Sequence, residues 1–413
     1  MLASLTNRAA TVWLLFWISF FAVYIHMGGL AFSGLVILLG AAGWLVWAVN
    51  YRNVGWPSKD LALALMAFLA FFVWLAISGS WSGYGSGTAI RLGGQIVMMM
   101  ALPVLLLTRS PAIREFVSHI IMAMALGGVA VLALDVASGY GINTFLDPVG
   151  PGQDLNMRQG DAEKNIGRGH VVYAIFTPLL LGLFATRLPR KPALAAAIGL
   201  LALLFVGTML NRLAVAPLIV IGALLLVAIG WRSPRWGVRL SLGTAVASVL
   251  LAPLVGVFAR LAGEGVMARV PMSWDHRLRM WDYSLSRIAE APLFGQGLDA
   301  SRTMQEGFTT RIGVDIPFVS LHPHNLGLQT WMEAGAVGAV LLSIALAALY
   351  RPLRRLSGGS RWRAAALSGT VMGAAIASAI TVGAWQYWWW GLIGLAAMLV
   401  VLIPEDAYDT PHA

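Results

Sequence analysis

Long apolar runs recur from one end of this chain to the other, at about 11–28, 30–49, 60–78, 90–108, 117–137, 168–186, 192–210, 213–231, 239–259, 323–349, 364–382 and 386–403. Each is long enough to cross a hydrocarbon layer of roughly 30 Å. Backbone amides find no water inside lipid, so the runs predict helices and not isolated strands. The first run is too long for the core of a signal peptide and lacks a cleavage site, so it counts as a helix. The expected fold is an all-α polytopic membrane protein with about twelve transmembrane helices, and no short internal repeat divides it.

The polar stretches between the runs predict orientation. Alternate loops hold Arg8; Arg52 and Lys59; Arg109 and Arg114; Arg187, Arg190 and Lys191; Arg232, Arg235 and Arg239; and Arg351, Arg354, Arg355, Arg361 and Arg363. Few acids accompany them, so these loops and both termini are expected on the cytoplasmic side. Composition agrees: 59% of the 413 residues are hydrophobic and 11% charged, with a mean hydropathy of +0.77. A soluble domain of this length needs more charge on its surface. The net charge of +10 then reflects topology and contact with anionic lipids, and no nucleic acid is implied. The absence of cysteine removes disulfide and thiolate chemistry.

Most loops on the opposite, outer side are very short. Two are not: 137–167 and 260–322. The expected organisation is therefore 1–259, with helices one to nine and the smaller outer loop; 260–322, the large outer loop; and 323–413, with helices ten to twelve and a short polar tail from Pro404 expected to be disordered. The large loop predicts an amphipathic helix at about 273–291. Pro271 and a capping Ser273 begin it, Trp274, Leu278, Trp281, Leu285 and Ile288 form one stripe, and Pro292 with Gly295 ends it. The helix is expected in the membrane interface with that stripe down. Arg279, Arg287 and Glu290 fall on the opposite face, whereas Arg277 lies at the edge of the stripe. Arg277 is either a snorkelling side chain on lipid phosphate or a ligand for some other anion.

Arg212 stands out by isolation, in the turn 208–212 between two apolar runs on the outer side, where the positive-inside rule does not account for it. It either reaches the headgroups or binds an anion, and Arg91 and Arg168 occupy similar helix ends. His322-Pro323-His324-Asn325 opens the run that continues through Gln329, Glu333, Gly335 and Gly338, which is longer than one span needs and predicts a break near Gly335. A histidine at such a boundary can act as a base near neutral pH, cap a helix or bind a metal. No second cluster at metal spacing accompanies it. Trp385, Trp388, Trp389 and Trp390 suggest interface anchors.

In order, Arg277-Leu-Arg-Met-Trp281, Ala291-Pro-Leu-Phe-Gly295-Gln-Gly297, His324-Asn325 and Glu333-x-Gly335-x-x-Gly338 resemble the bacterial O-antigen ligase and polymerase superfamily. The family's usual Ser-Arg pair in the preceding hairpin appears here as Asn211-Arg212. The likeness covers about 168–340 in detail, and the twelve-helix plan with a large periplasmic loop between helices nine and ten looks like the ligase branch. It implies a GT-C-like, inverting, metal-independent glycosyltransferase of the bacterial inner membrane, with its active site on the periplasmic face and no cofactor. The donor would be O-antigen polysaccharide on undecaprenyl pyrophosphate and the acceptor the lipid A-core oligosaccharide.

Under that resemblance His324 is the base, and Arg277 and Arg212 clamp the diphosphate through planar guanidinium forks. Arg168, Arg91 and Arg158 would add to the donor pocket. His322 and Asn325 would position the base, and Trp274 and Trp281 would floor the site. The alternatives are an O-antigen polymerase, a protein O-oligosaccharyltransferase, and, in a different class, a transporter of lipid-linked glycans. The transporter would place charges at mid-membrane, where Asp135 is the one deep candidate.

Overall fold

The computed structural model describes residues 2–54, 58–146 and 155–405. The tail beyond 405 and residues 147–154 of the smaller loop, both covered by expectations above, lie outside them. Seventeen helices build the described chain: α1 (Leu2–Ile18), α2 (Phe21–His26), α3 (Phe32–Val54), α4 (Lys59–Ser78), α5 (Gly87–Leu107), α6 (Pro111–Ala137), α7 (Gly141–Leu146), α8 (Leu155–Arg187) and α9 (Arg190–Leu210). They continue as α10 (Val215–Arg232), α11 (Pro234–Leu250), α12 (Ala252–Met267), α13 (Met272–Glu290), α14 (Leu326–Ala348), α15 (Tyr350–Ser357), α16 (Arg361–Ile380) and α17 (Tyr387–Val400). The protein is an all-α polytopic membrane protein.

Among the described residues nine helices are long and apolar enough to cross a membrane, and a bent pair makes a tenth. The expected count of about twelve differs from this at three places. The run expected at 239–259 is the bent pair, α11 and α12 meeting at 61°. Pro253 stands in the first turn of the second piece, where its ring cannot continue a helix from the preceding turn. The first run is broken into α1 and α2, and the last is the 14-residue α17, shorter than a lone span requires. The smaller loop also shortens, since α8 starts at Leu155 and carries residues 155–167 as helix above its apolar part.

Asp135 is fully buried at the end of α6. Its carboxylate accepts from the backbone amides of Ile142 (2.7 Å) and Asn143 (2.9 Å), and His26 Nε2 lies 2.9 Å away. The deep acid therefore anchors the start of α7. The tryptophans expected as interface anchors are core residues: Trp385, Trp388, Trp389 and Trp390 are all buried. Trp390 packs edge-on to Phe68 and Phe72, and its Nε1 donates to Ala384 O at 2.8 Å. Aromatic surface of this size stabilises a helix junction more when protein covers it than at a wet boundary.

Between α12 and α14 the chain forms α13, a short 3-10 turn (Ala300–Thr303) and a two-stranded antiparallel hairpin, β1 (Gly307–Thr309) with β2 (Asp315–Pro317), in register Phe308 to Ile316. Helix α13 begins at Met272 after Pro271, and Ser273 does not cap it. Its apolar stripe meets protein and not a bare interface: Leu278, Trp281 and Ile288 pack against Ala252 and Ala259 of α12 and Leu328 and Met332 of α14. The opposite face carries ion pairs, Arg279 with Glu264 and Asp275, and Arg287 with Glu290 and Glu306.

The break expected near Gly335 is present. Gly335 adopts φ 65°, and a Cβ there would stand 2.3 Å from Leu293 O. The segment 292–297 docks into the break. Ala336 N donates to Pro292 O (2.9 Å), and Val337 N to Leu293 O (3.2 Å). In return Gln296 N reaches Met332 O and Gly297 N reaches Glu333 O, each at 2.9 Å. The amides and carbonyls freed by the break are thus satisfied by one turn of a neighbouring segment.

Candidate active site

Four consecutive residues between the hairpin and α14 are each tied to a different neighbour. His322 Nε2 meets the side-chain amide of Gln386 at 2.8 Å, and Pro323 O accepts from Trp281 Nε1 at 2.9 Å. His324 Nδ1 donates to Thr381 O at 3.0 Å, and Asn325 Nδ2 donates to Ala379 O at 2.8 Å. Asn325 also caps α14, its Oδ1 accepting from Leu328 N at 2.9 Å. His324 takes φ 52°, a left-handed conformation costly for a side chain with a Cβ, and these tethers hold it there.

The Thr381 carbonyl fixes the tautomer of His324. A carbonyl only accepts, so the proton sits on Nδ1 and the lone pair is left on Nε2. The two imidazoles stand edge to face, 4.6 Å between centroids. Both precede α14 and lie outside the spanning helices. Burial pushes His324 down to about 4, and the positive charges of Arg277 and Arg168, with His276 when it is protonated, push the same way against the Thr381 carbonyl. His322 is pushed down to about 3, by burial first and then by His324, Arg302 and Arg168. Both rings are neutral at pH 7.

Arg277 reaches this group from α13. Its Nε donates to Ile380 O at 3.1 Å and its Nη1 to Ser273 O at 2.9 Å, while the guanidinium lies 5.6 Å from the Trp274 ring centroid. Trp274 packs edge-on to Trp281 at 6.4 Å. Burial lowers the basicity of Arg277, but a guanidinium stays charged at any working pH. Arg277, His322, His324 and Asn325 thus all lean on residues 379–386, the end of α16 and the turn before α17.

The other expected residues are placed less tightly. Arg168 is within electrostatic reach of both histidines and donates to Asn165 Oδ1 at 3.0 Å. Arg91 is exposed, with its guanidinium 5.7 Å from the ring of Tyr387, the residue after Gln386. Arg212 and Arg158 gather elsewhere, beside α7. Arg212 is exposed in a left-handed turn (φ 51°) between α9 and α10, where its neighbour Asn211 accepts from Tyr140 OH at 2.6 Å. Arg158 donates to Thr144 O and lines a cavity of about 490 Å³ with Gly139, Phe145 and Gln159. Among the described residues neither arginine makes a direct contact with His324 or Arg277.

Sequence reading passed over His276, Arg302, Thr381 and Gln386, which crowd the two histidines. One signal was available: His276 precedes Arg277 on the same helix. Among the described residues no group of three or more His, Asp or Glu side chains is placed to hold a metal ion.

Residues 174–343, from within α8 to within α14, match the family model described as O-antigen ligase. A Rickettsia conorii protein, provisionally named a polysaccharide ligase, is 30% identical over 152 residues, 35% of this chain and 36% of its own. A Rickettsia felis protein of the same provisional name is 29% identical over 169 residues, 39% of this chain and 40% of that one. A Rickettsia bellii relative is 31% identical over 133 residues, 31% and 30% of the two chains. The chain thus spans well under half the length of these curated relatives.

Proposed function

We propose that this protein is an O-antigen ligase, which transfers O-antigen polysaccharide from undecaprenyl pyrophosphate to a hydroxyl of the lipid A-core oligosaccharide on the periplasmic face of the inner membrane. The supporting observation is a neutral histidine with a bare Nε2, held on the same turn as a partly buried arginine. In this reading His324 Nε2 takes the proton of the acceptor hydroxyl as its oxygen attacks the anomeric carbon. The bond from that carbon to the diphosphate breaks on the opposite face, inverting the configuration. The electron pair leaves with undecaprenyl diphosphate, where Arg277 and Arg168 meet the growing charge, while the exposed Arg212 serves capture of the donor. An anionic donor beside His324 offsets the arginines that depress its basicity, so the base strengthens once the donor is bound.

The test is a transfer assay with purified protein, undecaprenyl-pyrophosphate glycan, lipid A-core acceptor and a chelator. The expected result is a glycan-bearing acceptor, with the rate falling by roughly 10²–10⁴ in His324→Ala at unchanged expression. Extension of the donor into longer lipid-linked chains would make the protein a polymerase, and glycan on a protein acceptor a protein ligase. Donor translocation without any transfer would make it a transporter.

A further inference from the structure

Glu333 has no part in the chemistry just described, yet it is fully buried in α14, two residues before the break at Gly335. Every group on its carboxylate is a donor. Oε1 accepts from Gln329 Nε2 (3.1 Å) and Ser301 N (3.4 Å), with Ser301 Oγ at 2.5 Å. Oε2 accepts from Asp299 N at 2.5 Å and from the indole of Trp385. The orientation of the Gln329 amide is fixed from its other end, because its Oε1 accepts from Ala384 N at 2.8 Å.

Two of these links, the Trp385 indole and the Ala384 amide through Gln329, end on the turn between α16 and α17. That same stretch offers Ile380 O to Arg277, Thr381 O to His324 and the Gln386 amide to His322. Residues 380–386 therefore have two sides, one gripping the side chains of the candidate site and one gripped by Glu333. On its far side Glu333 holds Asp299 and Ser301. Asp299 takes Arg302 at 3.0 Å and bonds Thr88 of α5, and Ser301 Oγ also lies 3.0 Å from Leu321 O, next to His322.

We propose that Glu333 is a positioning residue for the transfer reaction: its carboxylate locks the α16–α17 turn onto α14 and so sets where the Ile380 and Thr381 carbonyls hold Arg277 and His324. This inference rests on the transferase reading for its catalytic meaning, though not for its geometry. Glu333→Gln keeps the size but turns an amide NH2 toward N–H groups that can only donate, Gln329 Nε2 and Ser301 N on one side or Asp299 N and the Trp385 indole on the other, so the lock opens on at least one side. A displacement near 1 Å at the base costs on the order of 100-fold in rate.

The experiment uses the full chain in lipid nanodiscs and two variants, Glu333→Gln and Trp385→Phe. One readout needs no activity: carbethoxylation of His324 by diethyl pyrocarbonate against pH, read by peptide mass spectrometry. The other is kcat and donor KM for transfer. The expected result for Glu333→Gln is a kcat lower by about 100-fold with donor KM within about twofold, together with a modification midpoint for His324 moved upward toward ordinary imidazole. Trp385→Phe is expected to give the same pattern at about a tenth of the size. Unchanged kcat and an unchanged His324 profile in a folded Glu333→Gln overturn the proposal. If Glu333→Gln fails to fold, an unchanged profile and kcat in Trp385→Phe overturn it equally. A shifted His324 profile in a protein that transfers nothing leaves the lock standing and removes the ligase reading instead.

Discussion

Arg277 and Arg212 were singled out for the same task, and the fold treats them in opposite ways. Arg277 spends Nε and Nη1 on two main-chain carbonyls and lies by an indole face, so its fork is aimed before any ligand arrives. Arg212 is exposed on a strained turn, and among the described residues its side chain has no hydrogen bond or ion pair. A pre-aimed cation in a low-dielectric setting acts on charge that develops during reaction, whereas an exposed, solvated one acts mainly on the approach and grip of the ground state. The difference separates a candidate for the chemical step from a candidate for donor capture.

The sharpest way to break this contrast is Arg277→Lys, which keeps the charge and loses the fork. A drop of about 100-fold in kcat is expected, against a change of no more than about threefold for Arg279→Lys, whose pairs with Glu264 and Asp275 a lysine can keep. Equal losses in the two variants would show that position on α13 does not matter. Arg212→Ala comes next, with donor KM raised about tenfold at low salt and the effect shrinking near 0.5 M salt, because an exposed charge is screened. A salt-independent fall in kcat would move Arg212 into the chemical step.

The smallest effect is in pH. With His324 lowered to about 4, its neutral form persists well below the usual imidazole value. The kcat/KM profile, which reports the empty enzyme, should therefore stay flat through pH 6 and fall only as pH approaches 4. The kcat profile reports the complex, where the donor's negative charge favours the protonated ring, so its acid limb should lie at higher pH. Coincident limbs would mean the diphosphate does not sit beside His324.

How much of this was legible beforehand depended on the range of the forces involved. Nine of the expected spans and the Gly335 break follow from local patterning, and they were readable. The amphipathic stripe of α13 was readable too, but the pattern says only that the face is covered, not by what, so lipid was expected where α12 and α14 stand. Trp385 to Trp390 misled for the same reason. The contacts of Thr381, Gln386 and Glu333 with the site join segments 52–64 residues apart, and no periodicity reports such a meeting. The bend at Pro253 could be suspected from the proline alone, whereas its 61° is a product of packing.

The docking of 292–297 into the break of α14 also has a consequence for how the chain is made. The turn leaves the ribosome before the helix it completes, so by the time Gly335 is synthesised the groups that satisfy the break already exist. Membrane insertion of α14 can then finish without a period in which its unpaired amides face lipid. A circular permutant or split protein that delivers α14 first would lose that order, and it should insert poorly even though every residue of the final fold is present.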